Sequence, residues 1–171
     1  MNIVPFEGKN PTVHPGAYIA STATIIGDVT IEDGVSVWFG AVLRADLCSI
    51  VVRAGANIQD NSVLHSREGH CLEIGARVTV GHGCVVHGDR VGSDSVIGNG
   101  AVLLNHTVVG ARSVIGAGAV VSPGAQIPDG VVAMGLPATV RGPILPGSAA
   151  ARLVEGNSDA YDALVARYRR G

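Results

Sequence analysis

A six-residue repeat runs through most of this 171-residue chain. From Val91 onward an aliphatic residue stands at every sixth position, and a small or β-branched residue follows four positions later. This period fits neither the 3.6 residues of an α-helix nor the two of a flat strand. It is typical of a solenoid, in which short strands end at corners and successive turns stack. The aliphatic positions are Ile19, Ile25, Ile31, Val37, Leu43, Val52, Ile58, Leu64, Ile74, Val80, Val86, Val91, Ile97, Leu103, Val109, Ile115, Val121 and Ile127.

With three faces per turn, these positions predict an all-β solenoid of about six turns, roughly 30 Å tall. Val13 stands six residues before Ile19 and is a candidate for a further turn. The 24 glycines suit tight corners, and an aromatic content of 4% suits a narrow core of aliphatic side chains. The sequence therefore predicts a β-helix domain over residues 1–142.

Residues 143–171 are predicted to form a linker and a C-terminal α-helix. Pro143 and Pro146 interrupt the segment after the repeats. We expect the helix to begin near Asn157, with Asn157 or Ser158 as its N-cap. An apolar stripe at helical spacing predicts that the helix packs against the outside of a column. The stripe consists of Tyr161, Leu164, Val165 and Tyr168.

Charge and hydropathy argue against two classes of partner. The net charge is −2 and the basic residues are scattered, which gives no patch for nucleic acid. No apolar stretch is long enough to span a bilayer, so no membrane contact is expected. The three cysteines, Cys48, Cys71 and Cys84, are odd in number and without related spacing, which predicts free thiols and a cytoplasmic location.

Two of the six histidines are predicted to form a pair. His65 directly follows Leu64, and His87 directly follows Val86, one turn further along. Both side chains should point outward on the same face, about 5 Å apart, which suits two ligands of one metal ion. Arg44 holds the equivalent position one turn earlier.

A metal held by this pair needs a third ligand, and His82 is the candidate. His82 lies near a corner of the preceding face, so we expect it to reach the metal from a neighbouring subunit. Closed symmetry then predicts a homotrimer with three shared sites. Arg44 would be buried on assembly and would need a carboxylate from Asp46 or Asp60. A purely structural salt bridge at the interface is an equally good interpretation of these three residues.

Several motifs resemble those of the γ-class carbonic anhydrase family. They are Arg44-Ala45-Asp46, Asn57-Ile58-Gln59-Asp60, His65, and the run from Gly81 to Gly88 that contains His82 and His87. The resemblance covers nearly the whole chain. It implies a left-handed parallel β-helix, a homotrimer, and Zn²⁺, with Fe²⁺ or Co²⁺ as alternatives. By this resemblance the metal ligands are His65, His82 and His87 from adjoining subunits.

The resemblance also implies an activity: reversible hydration of carbon dioxide to bicarbonate by a metal-bound hydroxide at a subunit interface. Gln59 would orient the water, and Asn57 would shape the pocket. Tyr161 on the C-terminal helix would reach the site. The remaining family positions, Arg44, Asp46 and Asp60, would hold the interface together.

One departure from the family concerns proton transfer. Leu47 stands where the best-known member has an acidic proton shuttle, and the insertion after His65 is short. Glu68 or His70 in that insertion would have to relay protons instead. Two alternative functions stay open. One is a hexapeptide-repeat acyltransferase or another enzyme of acyl-coenzyme A, which would share the fold. The other is a metal-binding trimer with weak or no catalysis.

Overall fold

The computed structural model describes residues 1–170, which form a three-faced β-solenoid with one C-terminal helix. The first ten strands are β1 (Asn2–Val4), β2 (Thr12–Val13), β3 (Tyr18–Ile19), β4 (Thr24–Ile31), β5 (Ser36–Val37), β6 (Val42–Val52), β7 (Asn57–Ile58), β8 (Val63–His65), β9 (Leu72–Ile74) and β10 (Thr79–Val80). The others are β11 (Val85–Val86), β12 (Arg90–Val91), β13 (Val96–Ile97), β14 (Val102–Leu103), β15 (Val108–Val109), β16 (Val114–Ile115), β17 (Val120–Val121), β18 (Gln126–Ile127), β19 (Val131–Gly135) and β20 (Ala138–Pro143). The helix is α1 (Ala149–Tyr168).

The three faces are parallel stacks of short strands, and we number them by their inward residues. The first face stacks Leu43, Leu64, Val86 and Leu103. The second face stacks Val52, Ile74, Val91 and Val109. The third face stacks Ile58, Val80, Ile97 and Ile115. The predicted solenoid, with its aliphatic positions turned inward, is therefore confirmed.

The column has about seven turns rather than six. The extra turn comes from the N-terminal residues, where Ile3 pairs with Ile25 and Val13 pairs with Ile31. The six-residue repeat did not predict Ile3 as an inward position, because the segment between Ile3 and Val13 is longer than six residues. That segment contains an antiparallel bridge between Phe6 and Lys9.

The core is a continuous cylinder of aliphatic side chains. The inward residues Ile25, Leu43, Ile58, Leu64 and Ile97 have no solvent exposure. Each contributes roughly 1.5–3 kcal/mol relative to an exposed position, and each turn repeats the contribution. The shape of the column therefore depends on many equivalent small contacts.

The C-terminal helix begins eight residues before the predicted start. Ser148 is the N-cap, and its hydroxyl accepts a hydrogen bond from the backbone nitrogen of Ala151 at 3.1 Å. The prediction failed because Gly156 and Asn157 resemble a helix boundary, whereas the alanines after Ser148 favour helix strongly enough to extend through them. The proposed domain division after residue 142 stays a prediction. Across residues 1–170, no helix has the length and apolar character needed to cross a membrane.

Two of the cysteines are joined, which corrects the prediction of free thiols. Cys48 and Cys71 form a disulfide with a Cα–Cα distance of 5.0 Å, while Cys84 is free and buried. The two residues are 23 positions apart, which is close to one turn of this part of the column. Cys48 lies within β6 and Cys71 directly precedes β9, and these two strands pair in parallel register. Stacking therefore brings the two cysteines together, and the spacing that looked unrelated is that of the solenoid. A cytoplasmic location loses the support that it drew from three free thiols.

The close stacking of corners predicts opposite effects for one substitution at two glycines. A Cβ at Gly75 would lie 2.6 Å from the backbone nitrogen of Ser93, whereas a Cβ at Gly156 would meet nothing within 4 Å. We expect Gly75→Ala to destabilise the protein by about 1–3 kcal/mol, because two turns must separate. Gly156→Ala, the control in α1, should stabilise it by about 0.5–1 kcal/mol. Urea unfolding measures both; an unchanged stability for Gly75→Ala would contradict this packing.

Candidate metal centre

Two histidines face each other on the first face of the column. His65 ends β8 and His87 directly follows β11, and these two strands pair in parallel register. The ring centroids are 4.9 Å apart, and Nδ1 of His65 lies 2.9 Å from Nε2 of His87. One turn of the solenoid therefore brings together two imidazoles that are 22 positions apart in the sequence.

The other two ring nitrogens of this pair contact oxygen acceptors. Nε2 of His65 lies 2.9 Å from Oδ1 of Asp46, and Nδ1 of His87 contacts Oδ1 of Asn105. A ring nitrogen that donates to an oxygen carries the proton, so the other nitrogen keeps its lone pair. The two nitrogens with lone pairs are then the ones that face each other. Such lone pairs repel unless a proton or a cation lies between them.

Asp46 connects the histidine pair to Arg44. Oδ2 of Asp46 contacts Nη1 of Arg44, and Arg44 pairs in register with His65 between β6 and β8. Burial opposes ionisation of Asp46, but hydrogen bonds from His65 and Arg44 outweigh it and hold the pKa of the carboxyl below its usual range. Asp46 therefore remains an acceptor for His65 at neutral pH.

His82 lies at the corner between the third and first faces. Its Nδ1 is 2.8 Å from Oδ2 of Asp60, and its Nε2 is 3.4 Å from the hydroxyl oxygen of Tyr161. Within one chain Asp60 therefore contacts His82, and the predicted contact of Asp60 with Arg44 across an interface stays a prediction. Among residues 1–170, the structure does not gather His82 into one cluster with the other two histidines. In a single chain the three predicted ligands therefore form a pair and a separate third residue.

A cleft of about 440 Å³ lies between α1 and the third face, and His82 lines it. Gln59, also in its lining, donates from Nε2 to Oδ1 of Asn57 at 3.0 Å. Asn57 in turn donates from Nδ2 to Oγ1 of Thr79 at 2.8 Å. All three polar residues are outside the aliphatic core, yet they are at least 96% buried because α1 covers this face. The chain of hydrogen bonds fixes the orientation of both amides.

Tyr161 attaches α1 to the cleft. Its ring lies edge-on to Trp38 with centroids 5.3 Å apart, and Trp38 also contacts Tyr18 and Tyr168. Burial, and then the negative charge of Asp60, raise the pKa of Tyr161. The phenol is therefore protonated near neutral pH and can donate to Nε2 of His82.

The residues singled out in the sequence fall into two groups. The first-face group comprises Arg44, Asp46, His65 and His87. The cleft group comprises Asn57, Gln59, Asp60, His82 and Tyr161. Sequence reasoning missed Asn105 and Thr79. Asn105 stands 18 positions after His87, and Thr79 stands 22 positions after Asn57, so counting by turns would have found both.

The donor set fits a divalent transition metal. Each of the three histidines has one ring nitrogen against an oxygen acceptor, from Asp46, Asn105 or Asp60. Metal-binding histidines are typically held in this way, since the acceptor fixes the tautomer and the orientation of the ring. The remaining nitrogens are soft enough for zinc, iron or cobalt.

Comparison with known proteins gives the family. Residues 90–123 match the family model described as "Bacterial transferase hexapeptide (six repeats)". A hexapeptide transferase family protein from Anaplasma phagocytophilum is 33% identical; the match covers 98% of each chain with a TM-score of 0.92. The chain belongs to the hexapeptide transferase family.

Within the hexapeptide transferase family, the resemblance to γ-class carbonic anhydrases is confirmed. The protein named carbonic anhydrase from Geobacillus kaustophilus is 41% identical over 95 residues, which are 56% of this chain and 52% of that protein. Gamma carbonic anhydrase 1, mitochondrial, from Arabidopsis thaliana is 43% identical over 95 residues, 52% of this chain and 34% of that protein. The chain thus spans about half or less of the length of these curated relatives.

The contacts of Tyr161 predict that its ring and its hydroxyl have separable roles. Tyr161→Phe keeps the edge-on contact with Trp38 and should change the free energy of unfolding by less than about 0.5 kcal/mol. Tyr161→Ala removes the ring and should cost about 2 kcal/mol, with faster amide exchange in α1. Urea unfolding and hydrogen exchange test both variants. Equal stability of the two would show that the ring does not hold α1 on the third face.

Proposed function

We propose that this protein is a metal-dependent enzyme of the carbonic anhydrase type, which interconverts carbon dioxide and bicarbonate. The observation that carries the proposal is the common arrangement of the three histidines. In each, an oxygen acceptor occupies one ring nitrogen and leaves the other available. The similarity to proteins named carbonic anhydrase supports the same conclusion.

We further propose a homotrimer in which each site is shared. His65 and His87 would come from one protomer and His82 from the next, because a single chain keeps them on different faces. Exposed apolar side chains on and beside the first face support an interface there: Val63 is 37% exposed, Val85 40% and Leu47 54%. Burying such a patch is favourable and would exclude water from the histidine pair.

The chain's own residues supply orientation and proton control. Asp46 and Asn105 hold the His65 and His87 rings in the tautomers that leave the facing nitrogens free. Arg44 keeps the Asp46 carboxylate in place through their ion pair. A divalent cation bound by three neutral imidazoles makes a water nucleophilic near neutral pH, which is the chemistry that hydration of carbon dioxide requires.

The cleft side of the site would position water and substrate. Gln59 is held by Asn57 and lines the same cleft as His82, so its amide can hydrogen-bond a water beside that imidazole. With a metal on Nε2 of His82, the protonated hydroxyl of Tyr161 would no longer donate to that nitrogen and would be a donor for a bicarbonate oxygen at this end of the cleft. Glu68, which is exposed, and His70 are the candidates to relay protons, since Leu47 replaces the acidic residue that would otherwise do so.

Loss of one histidine should remove both metal and activity. We expect His82→Ala and His65→Ala to lose the shared zinc site and to lower stopped-flow hydration of carbon dioxide by at least about 100-fold. His14→Ala is the control, since the exposed side chain of His14 contacts only Asp33 and the backbone nitrogen of Gly16, which belong to neither group of site residues. Full hydration by either site variant would contradict the proposal.

An acyltransferase is the second candidate. It is favoured by the word "transferase" in the description of the matching family and in that of the Anaplasma phagocytophilum protein. Such an enzyme would transfer an acetyl group from acetyl-coenzyme A in the absence of bound metal, with His82 as a general base in the cleft. A metal-binding trimer without catalysis is the third outcome. Acetyl transfer by the metal-free protein identifies the second candidate, and bound zinc without either activity identifies the third.

A further inference from the structure

A second group of metal-binding side chains lies at a different corner of the column. It consists of His70 in the loop between β8 and β9, Asp89 between β11 and β12, and His106 between β14 and β15. These residues come from three successive turns. Their candidate ligand atoms all lie within 4.8 Å of one another. None of them belongs to the first-face group or to the cleft group.

The distances within this group exceed those of hydrogen bonds. Oδ2 of Asp89 lies 3.5 Å from Nδ1 of His70 and 3.6 Å from Nδ1 of His106. Separations of this size are too long for a good hydrogen bond between nitrogen and oxygen. They match the edge of a coordination tetrahedron around zinc, where ligands about 2.0–2.1 Å from the ion lie about 3.3 Å apart. Two of the three separations are thus close to those expected around a zinc ion, and the third is within 4.8 Å.

Two further observations support a ligand at this corner. Oδ1 of Asp89 is buried and has no hydrogen-bond partner within the described residues. The same holds for Oγ1 of Thr107, whose backbone oxygen accepts a hydrogen bond from the backbone nitrogen of Asp89. A buried carboxylate oxygen without a partner is costly. The side chains of His70 and Asp89 are 39% and 30% exposed, so an ion could enter from solvent and keep a water ligand.

The loop that carries His70 is held in place before any ion binds. Arg67 and His70 form a backbone bridge, and Cys71 is joined to Cys48 by the disulfide. The imidazoles of His70 and His106 lie edge-on with centroids 4.2 Å apart. The ordering cost of bringing the ligands together is thereby largely met by the fold.

We propose that His70, Asp89 and His106 form a second binding site for a divalent transition metal, with zinc as the best match. The ion would tie the loop after β8 to the two turns above it. Two histidines and one carboxylate occupy three positions of a tetrahedral ion and leave the fourth for water. The site shares no metal ligand with the proposed shared site, and His70 is the one residue that the proposed function also names, as a proton relay.

Arg67 is a competitor for this site. Its Nη1 lies 2.6 Å from Nε2 of His106, so it donates to that nitrogen and leaves the proton of neutral His106 on Nδ1. To bind a metal, Nδ1 of His106 must lose that proton, and in the neutral ring Nε2 then carries it. A protonated Nε2 can no longer accept a hydrogen bond from Arg67. Metal binding therefore displaces Arg67. Arg67→Gln should tighten the site, because a glutamine oxygen can accept from Nε2 and one positive charge is removed.

Zinc titration of the chelator-treated full chain tests this assignment. We expect two zinc ions per chain in the wild type and one in His70→Ala. His106→Asn, a second variant, suits the left-handed backbone at φ 61° and should also retain one. Arg67→Gln should bind two, with the affinity of the His70-dependent ion raised roughly five- to tenfold. His14→Ala, which removes an exposed histidine–carboxylate pair, is the matched control and should bind two.

The outcome separates the two metal proposals. His82→Ala should keep one zinc per chain, and His82→Ala with His70→Ala should keep none, with folding checked by circular dichroism. One wild-type zinc that depends on His70 and not on His82 would support the second site and overturn the shared one. If His70→Ala and His106→Asn both keep the wild-type number of zinc ions, or His14→Ala loses as much as they do, the second site does not exist.

Discussion

Each turn of the column hydrogen-bonds to the next in parallel register, and this register decides which side chains meet. Val63 pairs with Val85 and Leu64 with Val86, so the residues that follow them, His65 and His87, are also stacked. A shift by one residue would turn every inward side chain outward. The aliphatic core therefore fixes the geometry of the histidine pair, although none of its aliphatic residues is itself a candidate metal ligand.

The same register explains why polar groups recur in ladders. Asn57 meets Thr79, and Cys48 in β6 meets Cys71, each about one turn apart. A solenoid places such groups on a rigid surface at intervals set by the backbone, and a neighbour or a helix then covers them. On the third face α1 covers Asn57 and Gln59. On the first face the apolar residues around His65 are exposed in the single chain, which is where we propose that the next protomer packs.

The sequence predicted the solenoid and the histidine pair because both follow from counting residues per turn. Counting failed where the chain leaves the repeat. The start of α1 at Ala149 depends on the cap at Ser148, and local signals at Gly156 and Asn157 pointed elsewhere. The disulfide and the group around His70 both use the insertion between β8 and β9, whose path no repeat describes. Contacts between loops of different lengths require coordinates.

Reassembly of mixed subunits tests the shared site most directly. Chains carrying His65→Ala and chains carrying His82→Ala, both also with His70→Ala, are combined in equal amounts and allowed to form trimers. If His82 reaches across to the next protomer, about a quarter of the interfaces combine an intact pair with an intact His82, and zinc and hydration return to about a quarter of the level of trimers that carry His70→Ala alone. Recovery of neither in properly assembled trimers would contradict a site shared between subunits.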